Sequence, residues 1–327
     1  MAEKPKITDI FTAMTANETI EVAKTQKNPK KLWKEFWFEN EVCCLFADAN
    51  VGKSILAVQI GNYIADNILK GDERILYYDF ELSKKQFELR YTDEKNKSTF
   101  KFSDRFIRVE LDTDKVREYC NTTKTSFDDV IVNGIEANIQ KYNSRILIVD
   151  NLSWLINMKD TATTAGKLMG RLCELKKKYN ASILVLSHTP KRNLGSPLTQ
   201  NSLSGSKKFT NFFDAMFAVG MSLKDETTRY VKQIKVRTGG FKYGASHVDI
   251  CKIEKNGSFL GFTHIGYSTE REQLKRITDT PSATKKGNGK KTTSKRTNRR
   301  MCRSALASAQ IDLVTQMAEE AFASFSK

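Results

Sequence analysis

The sequence predicts an α/β protein built on a mainly parallel twisted sheet flanked by helices, with an antiparallel extension at its C-terminal side. As far as residue 188, apolar runs that suit buried strands alternate with helical patterns, which indicates a parallel sheet covered on both faces. A Gly-Lys-Ser turn separates the first of these runs from the first long helical pattern. After residue 210 strand-like runs follow one another with little helix between them, which predicts the antiparallel extension.

The individual elements follow from the same patterns. Strands are predicted at 42–46, 74–81, 106–111, 146–150 and 183–188, and helices at 55–69, 127–142 and 165–179. Ser126 is expected to cap the second of these helices, because its hydroxyl can accept a hydrogen bond from the first turn. The extension is predicted at 215–223, 229–236, 247–254 and 259–265, and Asn256-Gly257 predicts a hairpin turn between its last two strands.

Composition restricts the compartment and the class of partner. The net charge is +16, and nine Lys and Arg residues without any Asp or Glu lie between Lys285 and Arg303, which favours a polyanionic partner such as nucleic acid at this tail. The six cysteines show no Cys-x-x-Cys pair, which argues against a zinc site or a disulfide framework and for a reducing compartment. No stretch is apolar enough for a signal peptide or a membrane span, so a soluble cytoplasmic protein without a membrane partner is expected.

The turn after the first strand, Ala47–Ser54, has the residues of a phosphate-binding loop. Loop N–H groups and the positive end of the following helix dipole would point at one spot and hold a polyphosphate. The residues expected around it are Ala49, Asn50, Val51, Gly52, Lys53 and Ser54. Lys53 would reach the β- and γ-phosphates and Ser54 would bind Mg²⁺. Ala47 stands where the pattern asks for Gly, and a plain turn between strand and helix is the alternative.

Two acids at predicted strand ends suit the remaining chemistry of nucleotide hydrolysis. Asp150 ends an apolar strand and is expected on the metal side, opposite Ser54. Many ATPases with a phosphate-binding loop carry a catalytic Glu at the next position. Here that residue is Asn151, which cannot accept a proton. Glu81 is therefore the preferred base, because open α/β sheets build their sites beyond the carboxyl ends of the strands. Asp79, two residues earlier, is the alternative base.

His188 ends another strand on the same predicted edge of the sheet. Its imidazole is placed to touch the γ-phosphate or to relay its presence to the loop that follows. The alternative is an ordinary hydrogen-bonded histidine at a strand end.

These features together resemble the RecA-like ATPases. The resemblance is carried by the phosphate loop, by an acid after the second strand, by the Ser187-His188 strand end, and by the segment Lys235–Gly240 after an antiparallel strand. It covers about 37–266. Within the RecA-like ATPases, the chain most resembles hexameric replicative helicases of the DnaB and plasmid RepA type and AAA-family ATPases of bacterial mobile elements.

The resemblance implies ATP and Mg²⁺ as ligands and assigns roles to single residues. Lys53 and Ser54 would contact phosphate and Mg²⁺, Asp150 the metal, Glu81 would be the base and His188 the sensor. Lys235 and Arg237 match a pair that such rings insert into the neighbouring subunit's site, with Arg237 as the arginine finger. A homo-oligomeric ring is therefore expected.

The function implied by the resemblance is an ATP-driven motor on single-stranded DNA, a helicase or translocase in plasmid or mobile-element replication or mobilisation. A nucleotide-switched DNA-binding or regulatory RecA-like protein without unwinding activity is the alternative. A scaffold whose loop no longer binds nucleotide is the third reading.

Four regions are expected along the chain: a polar N-terminal arm (1–38), a RecA-like ATPase domain (39–267), a basic flexible linker (268–303) and a C-terminal amphipathic helix (304–327). The aromatic residues of the arm are expected to pack onto the domain, with a subunit contact as the alternative. The loop 191–208, which contains Lys191, Arg192, Lys207 and Lys208, is expected to follow a nucleic-acid backbone, with a plain solvated loop as the alternative.

Overall fold

The computed structural model describes residues 11–151, 162–203 and 207–275. All of them belong to one compact unit, Met1–Thr280, and a second unit comprises Pro281–Lys327. The basic tail, the C-terminal helix and most of the expected linker therefore lie outside the described residues. Of the part of the chain that is described, no helix is both long and apolar enough to cross a membrane.

The elements are numbered here in chain order. The helices are α1 (Ala16–Lys24), α2 (Lys53–Asn67), α3 (Lys84–Arg90), α4 (Thr113–Thr123), α5 (Phe127–Lys141), α6 (Ala162–Tyr179) and α7 (Glu270–Gln273). The strands up to the third helix are β1 (Lys31–Trp33), β2 (Trp37–Phe38), β3 (Val42–Ala47) and β4 (Arg74–Asp79). They continue with β5 (Thr92–Asp93), β6 (Ser98–Thr99), β7 (Phe106–Val109), β8 (Ser144–Asp150) and β9 (Ser182–His188). The last four are β10 (Ala215–Met221), β11 (Thr228–Lys235), β12 (Val248–Asn256) and β13 (Phe259–Ser268).

One large sheet organises the described residues. Its nine strands follow the order β13-β12-β11-β10-β3-β9-β8-β4-β7. The six from β10 to β7 pair in parallel, and β11, β12 and β13 are added antiparallel beside β10. The predicted fold class, a mainly parallel RecA-like sheet with an antiparallel C-terminal extension, is confirmed. The assignment of 215–223 to the extension is wrong, because β10 pairs in parallel with β3 and only the strands after it are antiparallel.

The parallel register brings several strand ends to one edge of the sheet. Asp79 at the end of β4 pairs with Asp150 at the end of β8, and Ala47 at the end of β3 pairs with His188 at the end of β9. Strand β9 lies between β3 and β8, so the loop after β3 and the acid of β8 flank one intervening strand. The site residues predicted from separate strands therefore lie at the same edge of the sheet.

Both faces of the sheet are covered by apolar layers. On one face, Leu56, Ile60 and Ile64 of α2 pack on the strands, and on the other face Ile135 of α5 and Leu172 of α6 do so. A strand buried on both faces reads as a continuous apolar run, because no side of it meets water. This explains why the central strands were visible in the sequence.

The N-terminal segment is partly integrated into the domain. Leu32, Phe36 and Trp37 are buried, and the ring of Phe36 stacks on that of Tyr243 with centroids 4.8 Å apart. The aromatic residues of the arm thus pack onto the domain, the reading preferred from the sequence. The α1 helix upstream of them buries no residue.

Two predictions of local structure, a helix cap and a hairpin turn, are confirmed. The Ser126 hydroxyl accepts a hydrogen bond from the backbone N–H of Asp129 at 3.2 Å and caps α5. Gly257 has a φ of 58° in the turn between β12 and β13, a left-handed conformation that glycine adopts readily.

Helix α4 and the β5–β6 hairpin are among the small elements that were not predicted. Helix α4 buries only Val116, so it lacks the apolar stripe that reveals a helix in a sequence. The short β5–β6 hairpin has two residues in each strand, too few for an alternating pattern.

Candidate active site

The loop between β3 and α2 is shaped by glycine and by tertiary packing. Gly52 has a φ of 105°, which other residues rarely adopt, and Asn50 has a φ of 61°. A Cβ at Gly52 would also lie 2.5 Å from the Cδ1 atom of Ile253 on β12. The position therefore requires glycine both for its backbone angle and because the antiparallel extension packs against the loop.

Two neighbouring loop residues have structural roles. Ala47 is the last residue of β3 and is buried, so it lies in extended backbone that alanine adopts without strain. The carbonyl of Val51 accepts a hydrogen bond at 2.9 Å from Nε of the buried Arg229. Since the side chain of Val51 is buried as well, this residue has only its backbone to offer a ligand.

A cavity of about 430 Å³ opens over this loop. Its lining combines the loop with the ends of two other strands and one helix: Asp48, Ala49, Asn50, Gly52, Lys53, Ser54, Ile55, Glu81, Arg90 and His188. Most of the residues predicted from the sequence to surround a polyphosphate thus line one space.

Lys53 and Asp150 form a buried pair beside this cavity. The Lys53 Nζ atom lies 3.4 Å from Oδ1 of Asp150, a long contact between two side chains that are nearly inaccessible to water. The Tyr77 hydroxyl donates a hydrogen bond of 2.6 Å to the other oxygen, Oδ2. Burial raises the pKa of Tyr77 well above its usual value, so the hydroxyl stays a donor and orients the carboxylate.

The Glu81 carboxylate contacts the amide of Asn151 and the imidazole of His188. Its Oε1 atom accepts a short hydrogen bond from Nδ2 of Asn151 and is 3.5 Å from Nε2 of His188. The same His188 nitrogen is 3.1 Å from Nδ2 of Asn151. The His188 imidazole and the Lys53 ammonium lower the pKa of Glu81 in spite of its partial burial, so the group is held as a carboxylate.

Asp79 is occupied in a structural role. One carboxylate oxygen accepts hydrogen bonds from the backbone N–H groups of Glu81 at 3.1 Å and Leu82 at 2.9 Å. The other oxygen accepts from Nε of Arg108 at 2.9 Å. Asp79 therefore fixes the turn that carries Glu81, which favours Glu81 over Asp79 as the base.

Arg90, at the end of α3, is a lining residue that sequence reasoning missed. Its Nη1 atom is buried and has no hydrogen-bond partner among the described residues. An unpaired guanidinium nitrogen beside a phosphate-binding loop is chemically suited to an anionic ligand. The sequence signal was a single cation in the last turn of the helix that follows Glu81, and such cations are common at helix ends.

Asp48 is a second residue that was missed, and it links the loop to the segment after β9. The Arg192 guanidinium contacts its carboxylate through Nε at 3.1 Å and Nη2 at 3.0 Å, and the Thr189 hydroxyl donates to the same group. The pair is largely buried. Arg192, expected to contact nucleic acid, is therefore engaged with the phosphate loop, whereas Lys191 is exposed. The side chains of Lys207 and Lys208 lie outside the described residues.

Lys235 and Arg237 are not brought to this cavity. The Lys235 ammonium donates to the carbonyls of Thr210 and Phe213 at 3.0 and 2.7 Å, and the Arg237 guanidinium is 2.7 Å from Asp214. Asp214 in turn accepts from the N–H of Val42, the first residue of β3. The pair thus lies at the opposite end of β3 from the loop, about 17 Å away along the strand.

The fold and the cavity define a P-loop nucleotide-binding protein. A glycine-dependent loop between a buried strand and a helix, a buried Lys-Asp pair and a carboxylate from a neighbouring strand meet at one sheet edge. The chain belongs to the AAA domain family, whose model matches residues 11–193, more than half of its length. It is therefore an AAA-type, RecA-like ATPase domain.

One solved structure is reported as similar to the chain. A KaiC-like protein from the hyperthermophilic archaeon Pyrococcus horikoshii is similar over 69% of this chain and 91% of its own, with a TM-score of 0.46 and 13% sequence identity. No curated protein sequence matches the chain.

Proposed function

We propose that the protein is an oligomeric ATPase that acts as a motor on single-stranded DNA, a helicase or translocase of mobile-element or plasmid replication or mobilisation. The observation that carries the ATPase part is the meeting of Lys53, Asp150 and Glu81 beside one loop, although they come from three separate elements. The oligomer and the DNA rest on further observations, which follow.

The donors beside the loop fit MgATP. Among the described residues, Lys53 makes one long contact, to Asp150, and Nη1 of Arg90 has no hydrogen-bond partner. Two cations are therefore available for a triphosphate. Ser54 and Asp150 supply the hydroxyl and carboxylate oxygens that Mg²⁺ prefers. Held by these two residues, Mg²⁺ would supply positive charge that offsets the negative charge developing during phosphoryl transfer.

The remaining residues suit the activation of water. Glu81 is held ionised and is positioned by Asn151, so it can orient a water molecule and accept its proton. Asn151, which cannot act as a base itself, keeps Glu81 at the sheet edge. His188 contacts both groups and begins the connection to the segment after β9, which suits a residue that reports the state of the site.

The location of Arg237 supports an oligomer. Its side chain is more than half exposed, it carries the charge that a phosphoryl-transfer site needs, and it lies at the far end of β3 from its own loop. A head-to-tail assembly, as in a ring, would place this end of one subunit beside the loop of the next. Each site would then depend on a neighbour for Arg237.

Two features support single-stranded DNA as the partner on which the motor acts. The segment after β9 begins beside the ATPase site, exposes Lys191 and is tied to the loop through Arg192 and Asp48. The chain as a whole carries a net charge of +16, which favours a phosphate backbone.

A mixing experiment tests the arrangement of sites between subunits. Glu81→Gln removes the base but keeps Arg237, and Arg237→Ala does the reverse, so each variant alone should lose at least about 10³-fold in ATP turnover. Mixed one to one, they should regain about a quarter of the wild-type rate, the share of interfaces that pair an intact Glu81 with an intact Arg237 by random assortment. Turnover is measured at several total protein concentrations.

Arg117→Ala is the matched control, because Arg117 is an exposed arginine on α4, away from the cavity lining. It should turn over ATP at the wild-type rate. If the mixture remained as inactive as its parts, or if Arg237→Ala matched Arg117→Ala, action of Arg237 in a neighbouring site would be excluded.

Single-stranded DNA distinguishes the motor from the alternative, a nucleotide-switched regulatory protein. A motor should hydrolyse ATP faster with single-stranded DNA and displace a strand from a forked duplex, and Glu81→Gln should abolish both. DNA binding that depends on ATP, without stimulation or displacement, would favour the regulatory reading.

A further inference from the structure

A cluster of potential metal ligands lies on β12 and β13, outside the active-site cavity. The ligand atoms of Asp249, Cys251 and His264 lie within 4.8 Å of one another, and Asp249 and Cys251 are buried. Cysteine spacing alone argued against zinc. The cluster arises instead from residues that are distant in sequence and meet across two antiparallel strands.

The sheet geometry directs all three side chains to one face. Cys251 pairs with His264 and Asp249 pairs with Tyr267, and the register shifts between Ile250 and Cys251. A shift of this kind places an extra residue on one strand and re-aims the side chains beside it. His264 and Tyr267, three residues apart, therefore point to the same side as the two buried ligands.

We propose that Asp249, Cys251 and His264 bind one Zn²⁺ ion, with water at a fourth, solvent-facing position. A carboxylate, a thiolate and an imidazole are all ligands of zinc, and three protein ligands with an open position form a common type of site. The ionised Asp249 and Cys251 side chains would balance the charge of the ion. His264 is the most exposed of the three ligands and leaves room for the water.

The distances require a small adjustment. Zinc bonds of about 2.0 to 2.3 Å in a tetrahedral site place ligand atoms about 3.3 to 3.8 Å apart. The Nδ1 atom of His264 now lies 2.5 Å from Oδ1 of Asp249, so these two would separate by about 1 Å as the ion replaces the proton between them. Pairs of ligand atoms that are farther apart, all within 4.8 Å, would approach by at most about 1.5 Å.

Lys34 orients Asp249 for this role. Its ammonium is 2.6 Å from Oδ2 of Asp249, which leaves Oδ1 as the oxygen that faces His264. An outer group that fixes a ligating carboxylate is typical of metal sites. Lys34 lies in the turn between β1 and β2, so the ion would fasten the N-terminal hairpin to the antiparallel extension.

Cobalt is the probe, because a thiolate bound to Co²⁺ produces a charge-transfer absorption that nitrogen and oxygen ligands do not. The full chain, treated with a chelator and reduced, should bind one Co²⁺ with this absorption, and Zn²⁺ should displace it. Zn²⁺ should also raise the melting temperature in the absence of nucleotide. The measurement does not depend on the proposed ATPase activity.

Variants identify the ligands. Cys251→Ser should abolish the absorption, and His264→Asn should weaken Co²⁺ binding by more than the roughly 10- to 100-fold loss that removal of an outer-shell partner causes. Because the His264 side chain is exposed, His264→Asn is expected to fold, so it tests the site even if Cys251→Ser does not fold.

His247→Asn is the matched control, because His247 stacks on the same Tyr267 ring with centroids 4.5 Å apart but is not in the ligand set. It should bind Co²⁺ as wild type does. No thiolate absorption in the wild type, an absorption that survives Cys251→Ser, or equal losses with His247→Asn and His264→Asn would each overturn the assignment.

Discussion

The Glu81 carboxylate shows how single neighbours set the chemistry of a residue. Burial alone would raise its pKa and favour the neutral acid, but the His188 imidazole and the Lys53 ammonium outweigh that effect. Asp79 shapes the turn beneath it and Asn151 contacts its oxygen. A base needs both the charge and the position, and here different residues supply them.

The pH dependence of turnover tests the role of His188. Because the pKa of Glu81 is lowered, the wild-type base stays ionised to a lower pH than an ordinary glutamate. His188→Ala removes the first cause of that lowering, so the acidic limb of the kcat/KM profile should move to higher pH. His247→Ala, outside the cavity, should leave the limb in place. An unchanged limb in His188→Ala would show that His188 does not influence the base.

Arg90 provides a second test at the residue scale. If its unpaired guanidinium nitrogen contacts the triphosphate, Arg90→Ala should raise the Kd for ATP by about 10- to 100-fold, the value of a charged hydrogen bond, and leave AMP binding unchanged. Lys84→Ala, on the exposed side of the same helix, is the control for loss of positive charge. Equal Kd values for the two variants would exclude a direct contact.

At the scale of elements, the phosphate loop is held from two sides. Arg229 on β11 and Ile253 on β12 contact it from the antiparallel extension, and Arg192 contacts it from the segment after β9. The Asp48–Arg192 pair is largely buried, so breaking it would leave an unpaired charge. Through this pair we expect a change at the loop to influence the segment proposed to contact DNA.

Neighbouring residues of that segment should behave differently. Arg192→Gln is expected to reduce the maximal stimulation of ATP turnover by single-stranded DNA, because the link to Asp48 is lost. Lys191→Gln, a change of an exposed cation, should weaken DNA binding and reduce its salt dependence but keep the maximal stimulation. Titrations of turnover against DNA measure both quantities. Identical effects of the two substitutions would argue against a coupling role for Arg192.

At the scale of the whole molecule, the N-terminal hairpin is part of the folded domain. Trp37 is fully buried and joins the same apolar layer as α2, whereas Phe11 upstream is 83% exposed. The family match also extends from residue 11, which agrees with an N-terminal segment that belongs to the domain.

Replacement of Trp37 and of Phe11 by alanine should have different effects on stability, because only Trp37 belongs to the core. Trp37→Ala is expected to lower the free energy of unfolding by about 3 to 5 kcal/mol, because it leaves a cavity in the core. Phe11→Ala should change it by less than about 0.5 kcal/mol. Denaturant unfolding measures both values. A loss of less than about 1 kcal/mol for Trp37→Ala would mean that the hairpin does not contribute to the core.

The sequence by itself determined the parallel sheet, its antiparallel extension and the phosphate loop. Strands buried on both faces are continuous apolar runs, and a glycine with a left-handed backbone before Lys53 has few substitutes, so both leave local signals. Asp150, Glu81 and His188 could be proposed because each ends or closely follows such a strand. Their meeting at one edge follows from parallel pairing.

Only the tertiary structure decided the contacts between distant segments. Arg90 beside the loop, Arg192 on Asp48, and Asp249, Cys251 and His264 across two strands depend on strand order and register, which no local pattern encodes. The same holds for Arg237, whose distance from its own loop is set by the direction of β3 and β11. A local sequence pattern identifies single residues that suit a site, whereas strand order and register in the packed sheet decide which of them meet.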